Sequence, residues 1–294
     1  GLSAADLVHG HLESPWQTGG AGTDEVVLAV PGVYDERQLG LLLGIAQALG
    51  MPVAGLVDAA VAAASAGFPG ERLLHLDVGL RRAVVTEIRQ GASLVRERVA
   101  RLDRWGLDEV HDAEMRGAAA AFVRQSRFDP LHDAATEQAL FDRLPAWLAA
   151  LERDERATWR LPFAAGEATI EVTRSEAEAW TARFADELSQ QASVFKRAGE
   201  PLTVLLSAHA ARLPGLAGRL AAVRGVEVVL LPVQAAAAGA LREKEAVRSP
   251  AGAIRLVTHL PHPQAPEGTV GGAAVILPPA AKPLPPRDPG RRPT

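Results

Sequence analysis

The chain has 294 residues, 48% of them hydrophobic, a formal net charge of −4 and no cysteine. That length and apolar content suffice for one large or two modest cores, and the charge gives no overall electrostatic case for nucleic acid or an anionic membrane. The lack of cysteine removes disulfides, thiolate catalysis and cysteine–zinc sites, and it fits a reducing, cytoplasmic setting. No apolar run approaches the roughly 20 residues a membrane span needs, and the first residues, GLSAADLVHGHLE, lack the basic and apolar regions of a signal peptide.

In chain order, Ser3–Ser14 is predicted as a helix capped by Ser3. Gly19–Gly22 is a loop rather than a phosphate cradle, since no helix follows it directly. Glu25–Val30 is expected to be a buried strand that Pro31-Gly32 ends. Asp35–Leu49 carries apolar residues at helical spacing, and Gly50 stands where a C-terminal cap belongs. Val53–Val57 is a short strand, and Asp58–Ala66 a small-residue helix whose alanines permit close backbone approach. Leu73–Val78, the Gly79 turn, Ala83–Ile88 and Ala92–Leu102 form a strand meander.

Leu107–Phe128 and Ala134–Leu151 are predicted as long helices, the second kinked or broken at Pro145. Ala157–Phe163 and Ala168–Thr173 form a hairpin. Ser175 with Glu178 fits a capping box, starting a helix that runs to about Arg197. Leu202–Leu206 and Val226–Leu231 are strands, and Leu213–Ala222 and Val233–Glu245 are helices. Ala253–Thr258 and Ala273–Leu277 are expected to pair. Pro278–Thr294 is Pro- and Arg-rich, with a Pro-x-x-Pro match at Pro283–Pro286, and is expected to be polyproline-like or disordered.

Val26–Gly67 resembles the stretch of the Hsp70/actin-like ATPases in which a strand ends in valine-proline, a helix opens near Asp35, Arg37 and Gln38, and an alanine-rich connecting helix follows. Arg212-Leu213-Pro214 and the run Pro232–Ala240 resemble the family's return segment, with its adenosine-binding turn and second connecting helix. The resemblance implies an α/β, two-lobed fold with ribonuclease H-like lobes, the first lobe incomplete in this chain. It divides the chain into a remainder of the first lobe (1–70), a second lobe (71–153), a small lid-like unit (154–200), a return segment (201–248), and a strand pair with tail (249–294). No peptide-binding domain follows, and the family's opening Asp-x-Gly-Thr turn is absent, so a preceding segment or a covering partner is expected.

The resemblance also locates a nucleotide site. The family's second phosphate turn, Asp-x-Gly-Gly-Gly-Thr-x-Asp, reads Asp77-Val78-Gly79-Leu80-Arg81-Arg82-Ala83-Val84 here. Asp77 and Gly79 are kept, while Val84 replaces the carboxylate that would hold Mg²⁺ or orient water. Arg81 and Arg82 can bind an anion, or simply tip an exposed hairpin. The adenosine turn keeps Ser207, but Ala208 and His209 replace its glycines. The candidate site is therefore Asp77, Gly79, Arg81, Arg82, Ser207 and His209, a degenerate nucleotide site with ATP and Mg²⁺ as the cofactors to test. No catalytic or metal residue is assigned: His9-x-His11 and His259-x-x-His262 lack a third ligand. Asp108, Glu109, Asp112 and Glu114 suit a helix start.

Three readings follow. The first is a non-hydrolysing, Hsp70-like scaffold or regulatory protein with a protein partner, a pseudo-ATPase. The second is a divergent ATP-binding chaperone-type ATPase. The third is an unrelated α/β enzyme, for which no nucleophile–base pair is visible.

Overall fold

The computed structural model describes residues 3–20, 22–250, 254–261 and 275–277. Helix α1 (Ala4–Gly19) is capped by a reciprocal Ser3–Asp6 box and passes through Pro15 to Gly19, beyond the expected end at Ser14. Strand β1 (Val26–Val30) leads to α2 (Glu36–Ala48), which an Asp35–Gln38 box starts. Strand β2 (Val53–Asp58) runs straight into α3 (Ala59–Ala64), with the Asp58 carboxylate accepting from the N–H groups of Ala60 and Val61. The meander follows as β3 (Arg72–Val78), β4 (Arg82–Gln90) and β5 (Ser93–Asp103).

Helices α4 (Leu107–Ser126) and α5 (Ala134–Leu151) come next. Pro145 does not break α5, which runs through it unbroken to Leu151. The hairpin β6 (Arg156–Phe163) and β7 (Gly166–Thr173) enters α6 (Arg174–Val194). The cap of α6 is Thr173, whose hydroxyl accepts from the Glu176 N–H, and not Ser175. Beyond β8 (Leu202–Leu206), the segment compared with the adenosine turn forms a short helix, α7 (Ala208–Ala211), and the predicted helix Leu213–Ala222 is α8 (Leu216–Ala221). Pro214 and a left-handed Gly215 (φ 76°) separate them, because proline clashes with the preceding turn. After β9 (Val226–Leu230) come α9 (Ala235–Arg242) and α10 (Lys244–Val247), then β10 (Leu256–Val257), β11 (His259–Pro261) and β12 (Val275–Leu277). Residues 278–294, with the Pro-x-x-Pro match, lie outside the described residues, as does His262.

The architecture is mixed α/β. A three-stranded sheet has the order β1-β2-β10, all parallel. A seven-stranded sheet has the order β11-β5-β4-β3-β8-β9-β12. Within it β3, β4 and β5 are antiparallel neighbours, while β8 and β9 run parallel to β3. The expected pairing of the last strands with each other is not formed. Strand β10 joins β2, β11 joins β5, and β12 joins β9. The Thr258 carbonyl, between β10 and β11, accepts from the Arg96 N–H, so this segment ties the two sheets together.

Three cores result. One lies under the large sheet, where Leu74, Leu76 and Val204 meet Phe184 and Leu188 of α6. A second gathers α4, α5 and the β6–β7 hairpin around Phe122 and Trp159. The third, between the sheets, is built from α3, α9, Leu73, Ile88 and Leu205. There the two alanine-rich helices meet backbone to side. A methyl group on Gly239 of α9 would overlap the Ala62 carbonyl of α3, so only glycine permits this approach. Arg242 then reaches across to Ser65 Oγ at 3.0 Å. Among the described residues no helix is long and apolar enough to cross a membrane.

Candidate functional site

The turn between β3 and β4 is built by alternation along β3. Leu74, Leu76 and Val78 point into the helix-covered core. Leu73 joins the inter-sheet core, and His75 and Asp77 share its side of the strand. At the end of β3, Asp77 and Gly79 face a cleft of about 380 Å³. Its hairpin wall is Asp77, Gly79, Leu80, Arg81, Arg82 and Val84. The opposite wall is mostly apolar: Val8 from α1, Pro31, Val33 and Tyr34 after β1, and Leu41, Leu42 and Ile45 from α2, with Gln38 and the Tyr34 hydroxyl as its polar groups.

Four of the six candidate residues, Asp77, Gly79, Arg81 and Arg82, therefore lie together. Ser207 and His209 do not line this cleft. Ser207 follows β8, donates its N–H to the Leu76 carbonyl at 3.0 Å and caps α7 through its hydroxyl, while His209 is exposed on α7. A second hollow of about 310 Å³ lies elsewhere, bordered by Arg174 and Glu178 of α6 and by Arg212, Leu213 and Pro214. The adenosine-like segment and the phosphate-like turn thus border separate hollows.

The backbone of the turn is committed inward. The Gly79 N–H donates to the Arg82 carbonyl at 2.9 Å. Helix α4 has no side-chain cap. Instead its first N–H groups use the turn: Leu107 donates to the Gly79 carbonyl (2.9 Å) and Asp108 to the Leu80 carbonyl (3.0 Å). Gly106 lets the two segments touch, since a methyl there would overlap the Leu80 carbonyl. An anion cradle needs free N–H groups facing the ligand. Here the Gly79 N–H and the first N–H groups of α4 are already paired within the protein.

The side chains are freer. Arg81 faces Asp108 and Arg82 faces Asp103, each at 3.8 Å, longer than the 2.7–2.9 Å typical of a charge-assisted hydrogen bond. Behind them, His75 is buried, and burial pushes its imidazole below the ordinary histidine range, against the opposing pull of Asp77 and then Asp58.

Sequence reasoning missed Asp58. It is fully buried at the start of α3, and Arg96 of β5 reaches it at 2.7 Å while also donating to the Gly32 carbonyl at 3.1 Å. This ion pair crosses from the small sheet to the large one. It also missed the apolar wall, although the exposed Val8, Tyr34 and Leu41 could have been flagged as apolar residues on otherwise polar helix and loop faces. Among the described residues, no group of three or more histidine, aspartate or glutamate side chains could hold a metal ion. The acidic set on α4 is divided: Glu114 is buried against His111 (3.5 Å), whereas Asp112 is exposed and lies 3.9 Å from Arg116. No protein-family model and no curated protein matches this sequence.

Proposed function

We propose that this chain is a divergent Hsp70/actin-like domain that does not hydrolyse nucleotide and works as a scaffold or regulatory module for a protein partner in the cytoplasm. The fold part of this reading draws support from the large sheet. Three antiparallel strands followed by two parallel ones, β5-β4-β3-β8-β9, is the order a ribonuclease H-like lobe has. The crossing of α3 and α9 at Gly239 supports a hinge of the kind two connecting helices make.

The observation that carries the functional part is the inward pairing of the β3–β4 turn. Its glycine N–H and the first N–H groups of α4 are bonded within the protein. Asp77 is the one carboxylate in the cleft lining, and Val84 stands where a second would be needed. Metal-assisted hydrolysis needs groups that both hold Mg²⁺ against the phosphates and orient the attacking water, and Asp77 is the one carboxylate left for both tasks.

Titration calorimetry with ATP and ADP, with and without Mg²⁺, tests this. No heat at millimolar nucleotide is expected. Magnesium-dependent binding in the micromolar range would overturn it in favour of the second reading, an ATP-binding chaperone-type ATPase, for which the retained Asp77 and Gly79 in the cleft speak.

A further inference from the structure

The cleft has a polarity of its own. One wall is aliphatic and aromatic, from Val8, Val33, Tyr34, Leu41 and Leu42, and the other ends in two arginines. Val8, Tyr34, Leu41 and Leu80 are all exposed apolar residues, which cost free energy while they face water. The volume, about 380 Å³, lies in the roughly 300–1,000 Å³ range of small-molecule sites, which are mostly apolar with a few fixed polar groups. Charge narrows the class. The charged lining residues are Arg81, Arg82 and Asp77, which leaves one net positive charge. Asp103 and Asp108 stand outside the lining and hold the guanidinium groups only at 3.8 Å, so both can turn towards a ligand.

We propose that this cleft binds a small amphipathic monoanion, an aliphatic or aromatic carboxylate, with its apolar body against α1 and α2 and its carboxylate on Arg81 and Arg82. A polyphosphate fits poorly on both counts: the net positive charge is too small for its several negative charges, and the mostly apolar wall offers its oxygens few donors beside Gln38 and the Tyr34 hydroxyl. The inference rests on the reading of the cleft as a lost nucleotide site.

The chain offers a clean reporter, because Tyr34 is its single tyrosine and lines the cleft. In protein labelled only at tyrosine, one backbone amide resonance should be seen and should shift on adding 2-naphthoate or decanoate. Calorimetry should give one site per chain. The neutral analogues 2-naphthol and decanol should bind at least about tenfold more weakly, and so should the carboxylates to the double variant Arg81→Ala/Arg82→Ala. Arg81 is exposed and Arg82 partly so, and circular dichroism checks that the variant keeps its fold. Leu41→Asp, from the opposite wall, should weaken binding as well. An unmoved Tyr34 signal at millimolar carboxylate overturns the proposal, and so does binding that ignores the arginine substitutions. A nucleotide titration in parallel separates the two ideas: nucleotide binding defeats the proposed function, whereas silence towards both ligand classes defeats only the present inference.

Discussion

Strands β1 (VVLAV) and β8 (LTVLL) are nearly the same word in hydrophobic terms, yet they live differently. Every residue of β8 is buried, between β3 and β9 and between two cores. In β1 only Val30 is buried, and among the described residues β1 has one neighbour, β2. A short apolar run tells of a strand but not of its place in the sheet, because the neighbours that cover it come from far along the chain.

The largest effects should separate these two strands. Leu205→Ala should cost about 3 kcal/mol, as deletions in a packed core do, and Leu28→Ala about 1 kcal/mol, since Leu28 is only partly buried. Urea unfolding midpoints measure both. Equal losses would mean that β1 is covered in solution.

Next comes the tie between the sheets. Arg96→Ala strands the Asp58 carboxylate in a fully buried position. The expected loss is about 2 kcal/mol, below the usual figure for a buried pair because Arg96 is partly solvated. A loss within error of zero would show that water or another donor replaces it.

A smaller effect should appear with pH. His75 has its folded pKa below its unfolded value, so the unfolded chain takes up a proton first as pH falls. Stability is fully present above about pH 6.5, the ordinary histidine value, and declines below it until the folded pKa is passed. His75→Gln should flatten the slope of stability between pH 7.5 and 5.5; an unchanged slope would place its origin elsewhere.

The smallest effect belongs to the exposed end of the contrast. Ser3→Ala removes one half of a capping box on α1, a helix with no buried residue, and should cost about 0.5 kcal/mol, read as lost helical circular dichroism.

Much of the chain could be read locally. The meander, the α5 boundaries and both alanine-rich helices follow from periodicity, caps and glycine. The four cleft residues were legible together because all of them lie between positions 77 and 82, around one turn. What was hidden is what depends on distant partners. Ser175 with Glu178 matched a pattern that Thr173 satisfied first. The Val84-to-Tyr34 meeting across the cleft, the Asp58–Arg96 pair and the destinations of β10, β11 and β12 are all non-local. The start of α8 after Pro214 and Gly215, rather than at Leu213, was local and available from proline and glycine chemistry.

The seat of β10 beside β2 has a consequence in time. Leu56 pairs with Leu256, which is 200 positions later (256 − 56). At roughly 5–20 residues per second of synthesis, the ribosome needs about 10–40 s to deliver that partner. For that interval the second edge of β2 waits unpaired, with β1 on its other side and the large sheet assembling without it. Until then the small sheet stays incomplete on the ribosome, and its open edge is a place where a nascent chain is exposed to wrong pairing.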